Sequence, residues 1–213
     1  MAFIIDGSTG IATVDGSVSA PSQRGQDSNT GISYAADTIK FSTNGVERMA
    51  ITNSGVTGAG GKFSSYAIIG DVKPDDTDGG TFTSGDWRTR DLNTEIVDAD
   101  SIVSISSNQF TLQAGSYLIE AYAPGYRVNR HMVKLYQTSG TPADIAFGTS
   151  GYSQSSYNNF SVSIVRARVT ISTATTYEIR HRGESTHSTF GYGVGSDFGN
   201  TELYTVVQIF KEA

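Results

Sequence analysis

From residue 62 onward, apolar side chains recur at every second position in short runs, and Gly, Pro, Asn, Asp and Ser break the runs. A period of two puts successive side chains on opposite faces, so the pattern predicts β-strands. The predicted strands cover residues 66–72, 102–106, 109–113, 116–123, 128–137, 143–147, 161–172, 176–182 and 202–211. Turn clusters at 74–80, 123–125 and 138–142 separate them. Many short strands at such spacing predict a sandwich or jelly roll. Strands 161–172 and 176–182, joined through Thr173-Ala-Thr175, form the clearest hairpin signal. No segment shows a helical period.

Two strands depart from simple alternation. In 202–211 one face reads Leu203, Thr205, Val207, Ile209 and the other Tyr204, Val206, Gln208, Phe210. An antiparallel strand wetted on one side alternates apolar with polar. This strand is therefore expected to be covered twice, by its own second sheet and by either a neighbouring subunit or loops of its own domain. Strand 128–137 behaves similarly, with His131, Val133 and Leu135 on one face and Met132 and Tyr136 on the other. Tyr204, Val206, Phe210, Met132 and Tyr136 are the candidate subunit-contact residues.

The first 62 residues differ. Asp6-Gly7-Ser8 and Asp15-Gly16-Ser17 stand nine residues apart, followed by short β-prone pieces at 10–14, 37–41 and 48–52. Such short strands bury too little surface alone to offset the entropy of ordering them. The segment is either a disordered tail or, the favoured reading, ordered against copies of itself or another protein. Gly58-Ala-Gly-Gly61 reads as a linker, which divides the chain into an attachment or shaft segment, 1–62, and a head, 63–213.

Composition narrows the function. The formal charge is −6 and there are no cysteines among 213 residues. The acidic balance argues against a nucleic-acid partner, and the missing thiols exclude disulfides and thiolate metal sites. No apolar stretch is long enough for a membrane-spanning helix. The opening Met-Ala-Phe-Ile-Ile-Asp lacks the basic and apolar regions of a signal peptide, so assembly in a host cytoplasm is expected rather than secretion.

Residues Asn108 to Tyr122 (NQFTLQAGSYLIEAY) resemble a strand pair in tumour-necrosis-factor-like and complement-globular-head jelly rolls. Trp87 to Asn93 and Glu202 to Glu212 are similar to versions of that head at the ends of phage fibres. Asp37 to Gly55 (DTIKFSTNGVERMAITNSG) resembles a segment of phage tail-fibre and virion proteins. The resemblance implies an all-β chain: a jelly-roll head on an extended β-rich, fibre-like segment, assembled as a homotrimer. The implied function is a viral, phage-type fibre or spike protein of the virion, non-enzymatic, joined to other virion proteins through residues 1–62 and presenting its head to a host-surface glycan or receptor. The alternative is a capsid decoration protein that stabilises the shell without binding a receptor.

Candidate chemistry is sparse. His131 and His181 fall inside strands, where a packed histidine is the simpler reading than a base. Gly191-Tyr-Gly-Val-Gly195 has no following Lys-Ser/Thr, so it reads as a loop. Asp75, Asp76 and Asp78 offer clustered oxygens, but no glutamate closes a calcium loop and a solvated turn is the better reading. No cofactor or metal site is expected. Arg166, Arg168, Glu178, Arg180 and Arg182 read either as surface ion pairs, the favoured reading, or as a basic patch for acidic sugars. Tyr152, Tyr157, Phe190 and Tyr192 lie in Ser-, Asn- and Gly-rich stretches; they are candidates for receptor contact or for capping the sandwich ends and packing between subunits.

Overall fold

The computed structural model describes residues 15–58 and 63–212. The expected strand at 10–14, the first Asp-Gly-Ser repeat and most of the Gly58–Gly61 linker lie outside them. The chain divides into two compact units, Met1–Lys62 and Phe63–Ala213. No helix occurs among the described residues.

In the first unit β1 (Gly16–Ser17) and β2 (Ala20–Pro21) form a small hairpin. Then β3 (Gln23–Arg24), β4 (Gly31–Ala35), β5 (Thr38–Thr43), β6 (Val46–Thr52) and β7 (Gly55–Thr57) pair in chain order as an antiparallel meander. The β5–β6 turn is Asn44-Gly45, both at positive φ (52° and 72°), which matches the right-handed twist of a tight hairpin. Register places Tyr34 opposite Ile39, Ile39 opposite Ile51, and Ile51 opposite Val56. Ile32 and Met49 both oppose Phe41. These seven side chains share one face of the meander. Apart from Pro21 and Ala50, no apolar side chain of this unit is buried among the described residues, and Ile39, Ile51 and Val56 are exposed.

The second unit contains β8 (Phe63–Lys73), β9 (Arg88–Thr89), β10 (Thr94–Val97), β11 (Val103–Ser106), β12 (Gln109–Leu112), β13 (Gly115–Tyr126), β14 (Asn129–Gln137), β15 (Ala143–Phe147), β16 (Gly151–Ser153), β17 (Phe160–Ile171), β18 (Thr175–Gly183) and β19 (Glu202–Glu212). Two antiparallel sheets result. Sheet one runs β10-β8-β19-β13-β17; sheet two runs β11-β12-β18-β14-β15, with β9 added to β18 and β16 to β14. Among the long strands the chain crosses between the sheets repeatedly, from β12 to β13, β13 to β14, β17 to β18 and β18 to β19, and it also crosses at β8–β9, β9–β10, β10–β11 and β16–β17. This is a jelly roll. Its core joins Ile69, Tyr117, Ile119, Val165, Val207 and Ile209 of sheet one to Phe110, Leu112, Val133, Leu135, Tyr177 and Ile179 of sheet two.

Two expectations are corrected. The hairpin of 161–172 with 176–182 does not form. β17 instead pairs with β13 along its whole length, from Gly115–Ile171 to Tyr126–Phe160, while β18 pairs with β14 and β12. The short bend is a sandwich corner, and Val165 and Ile179 on its two arms both enter the shared core. Nor is Ala123-Pro-Gly125 a turn; it lies inside β13. Pro124 fits there because β13 pairs with β19 only as far as Tyr122, so no ladder bond to β19 needs its missing N–H.

Candidate functional site

The outer face of sheet one, turned away from the core, carries the site. Alternation along four strands aligns rows of side chains across it. Tyr66, Phe210, Leu118 and Arg168 form one row; Ile68, Gln208, Glu120 and Arg166 the next; Gly70, Val206, Tyr122 and Ile164 a third. Pro124–Val162 and Tyr126–Phe160 continue the surface. Phe63 extends the first row, its ring centroid 5.1 Å from that of Phe210. Two apolar zones therefore flank a polar belt. The belt is internally satisfied: Arg166 donates through Nε and Nη2 to Glu120. At the far corner Arg168 clasps Glu212 with both fork bonds, at 2.7 and 2.6 Å. These are the cross-strand ion pairs expected from the sequence, although the partners lie on β13 and β19 rather than on β18.

This face is wet in the single chain. Tyr66 is 53 % exposed and Phe160 67 %. A second apolar strip runs along one edge of the sandwich, where β15 and β16 lie against β17; there Phe147, Tyr152, Tyr157 and Phe160 are exposed.

The five expected contact residues do not form one surface. Val206 and Phe210 do point outward on sheet one. Tyr204 does not: it is 6 % exposed within its own domain. A bulge between Leu203 and Val206 shifts the alternation by one position, turning Leu203 out and Tyr204 in. The phenol donates to Thr77 O at 2.6 Å. Burial, aided by Glu202 and nearby aspartates, pushes its pKa well above the ordinary range. Met132 and Tyr136 lie on β14, in sheet two, and Tyr136 packs its ring against the Arg180 guanidinium at 3.6 Å.

Behind the face, three charged or titratable groups are interred that the sequence did not single out together. Arg90 is 0 % exposed. Its Nε donates to Thr205 Oγ1 (2.8 Å), Nη1 to Pro124 O (3.2 Å) and Nη2 to Tyr192 O (3.1 Å), and its plane lies 4.1 Å from the Tyr192 ring centre. Nη1 also faces His181 Nδ1 at 3.5 Å. His181 Nε2 lies 2.9 Å from His131 Nδ1, and His131 Nε2 lies 2.6 Å from Ser161 Oγ. An arginine can only donate. That leaves the lone pair of His181 on Nδ1 and its proton on Nε2, so His131 accepts at Nδ1 and donates at Nε2 to Ser161. A serine beside a histidine is a nucleophile–base pair only when the histidine keeps a lone pair toward it; this wire runs the other way. Burial and the Arg90 charge hold His131 down to about 4, and burial, Arg90 and His131 hold His181 well below its usual range. The cluster is a polar lock of two neutral imidazoles and one buried guanidinium, joining β13, β14, β17, β18 and β19.

The loop aromatics separate into two groups. Tyr152 and Tyr157 are exposed. Phe190 packs edge-on to Tyr126, with centroids 5.7 Å apart, and the Tyr192 ring is taken up by Arg90 and Phe82. Asp75 and Asp78 accept from the backbone N–H groups of Gly199 and Gly195, at 3.0 and 3.1 Å, so they brace the glycine-rich loop.

No protein-family model matches the chain, and no curated protein does. Among solved structures the chain is similar to the globular domain of zebrafish complement 1qA protein (16 % identity, 69 % of this chain, 96 % of that chain, TM-score 0.45). It is also similar to Eiger TNF from S. frugiperda (13 %, 70 %, 92 %, 0.48) and to murine APRIL (7 %, 69 %, 98 %, 0.46). The jelly-roll assignment stands on the strand order itself.

Proposed function

We propose that this chain is a non-enzymatic structural protein of a virus particle, a phage-type fibre or spike, in which three heads close around a three-fold axis and present their loops to a host surface. The observation that carries the reading is the outer face of sheet one: an apolar surface crossing four strands whose only charges are already paired within it. Exposed apolar area of this extent marks an interaction surface. The flat face and the apolar strip along the β15–β17 edge are two surfaces of one molecule that meet at Phe160. Contact of face with edge is heterologous, and such contacts close into rings when the rotation permits. The number three comes from the resemblance of residues 108–122 to heads that trimerise. The exposed Tyr152 and Tyr157 suit contact with a receptor, and repetition of copies allows each contact to be weak.

Light scattering on the full chain tests the assembly, and retention on host cells tests the role. A monomer at micromolar concentration would end the trimer reading. A second reading, a decoration protein on a capsid, is favoured by the open apolar face of the first unit, which suits a shell surface. Binding to empty capsids with no retention on cells would select it.

A further inference from the structure

On the outer face of sheet two, a cleft of about 580 Å³ opens between residues 85–87 and strands β14, β16 and β18. Its walls include Trp87, Arg130, Met132, Gly151, Arg182 and Glu184. The volume lies in the range of small-ligand sites, roughly 300–1,000 Å³.

The Trp87 wall is held in place. Arg88 Nε donates to Thr83 O at 3.1 Å, Ser84 N donates to Thr186 Oγ1 at 3.0 Å, and Trp87 N donates to Asp86 Oδ1 at 2.7 Å. The indole rests on Lys134 Nζ, 4.4 Å from the ring centre, and Asp144 fixes that ammonium at 2.5 Å. Opposite stand two guanidiniums and one carboxylate. Arg130 Nη1 donates to Glu184 Oε1 at 3.2 Å. Arg182, across the strand pair from Met132, is exposed and makes no hydrogen bond or ion pair among the described residues. The other arginines of the basic stretch are engaged: Arg166 and Arg168 on sheet one, Arg180 with Glu178 and Tyr136. A cleft with a surplus positive charge is an exception on a chain of net charge −6.

We propose that this cleft binds a carboxylate-bearing sugar, with the Arg182 fork on the carboxylate, Trp87 and Met132 against the apolar face of the ring, and the Arg130–Glu184 pair on its hydroxyls. The planar guanidinium matches a carboxylate in two parallel bonds. An indole and a thioether offer the apolar surface that a pyranose presents on one side. A neutral sugar would leave the Arg182 charge unanswered. The proposal deepens the host-surface reading by naming a ligand class, and it does not require the trimer.

The test uses the full chain on immobilised glucuronate-, galacturonate- and sialate-terminated saccharides, beside their carboxyl methyl esters, with light scattering on the same samples. Retention on the free acids, at least tenfold weaker on the esters and at least tenfold weaker for Arg182→Gln and for Trp87→Ala, supports it. Equal binding to acids and esters overturns it, as does an unchanged Arg182→Gln. Displacement by inorganic sulfate at the concentration of the sugar itself also overturns it, because the site would then hold any anion. A monomer that still discriminates the acids sinks the trimer and keeps this site; a trimer that binds none of them does the reverse.

Discussion

His131 and His181 meet nitrogen to nitrogen, Nδ1 to Nε2 at 2.9 Å, with the Arg90 guanidinium 3.5 Å beyond the second ring. One proton already occupies that contact, and a second would place a cation against a buried arginine. Folding therefore disfavours protonation. The unfolded chain takes up protons near 6.5, whereas native His131 does so at about 4. The unfolded state binds more protons between those values, so the stabilisation is complete above pH 6.5 and is lost as the pH falls toward 4. For His131 alone the loss is roughly 3 kcal/mol at 1.36 kcal/mol per unit, and His181 adds to it in the same direction. Thermal unfolding followed from pH 7.5 to pH 4 should show a falling midpoint. His131→Gln should flatten part of that slope; a profile identical to the parent would exclude the lock as its origin.

Arg90 should resist conservative replacement. Its three donor nitrogens satisfy Thr205, Pro124, Tyr192 and His181 in one plane, and an ammonium cannot reach them together. Arg90→Lys is expected to destabilise by about 3–5 kcal/mol, the usual cost of breaking a buried charged network. Chemical denaturation of the two proteins checks this, with an unchanged m-value showing that the unfolded state is not the cause.

The bulge in β19 separates two aromatic residues that sequence alone groups together. Phe210→Asp should leave the isolated domain folded and lower the assembled mass, because the side chain lies on the outer face. Tyr204→Phe should keep the mass and cost about 1 kcal/mol through the lost bond to Thr77, a fall of about 2–4 °C in the melting midpoint for a domain of this size. Light scattering and calorimetry on both variants distinguish the roles. Loss of assembly by Tyr204→Phe with no change in melting would reverse the assignment.

Much of the head was legible because strand periodicity is a local property. The double apolarity of 202–211 and the shared face of Arg166 and Arg168 on β17 follow from alternation alone, whereas their partners on β13 and β19 do not. Tyr204 was misplaced because a single inserted position inverts every side chain on one side of it, and no residue type marks that insertion. The bend at 173–175 fits a hairpin and a sandwich corner equally well; only competition from β13, which pairs with β17 along its full length, decides. Arg90 was invisible as a core residue because its partners come from segments 34 to 115 positions away. Three strands of the head escaped notice: β9 and β16 are too short to show a period, and β10 is irregular at Glu95–Val97.

The meander of the first unit leads to the last prediction. Tyr34, Ile39, Ile51 and Val56 stand in register on one face with Ile32, Phe41 and Met49, and the charged Lys40–Glu47 pair, at 3.1 Å, points to the other. An open face of seven apolar side chains, three of them exposed, is a poor surface to leave in water. If this unit joins the particle, Ile51→Asp should block incorporation, since a carboxylate in a dry contact costs several kcal/mol. The head should be indifferent, because its core draws on none of these residues. Incorporation is read from purified particles of a host expressing the variant, and the melting of the head from calorimetry on the free protein. Particles that carry Ile51→Asp at the parental level would show that the attachment lies elsewhere in the chain.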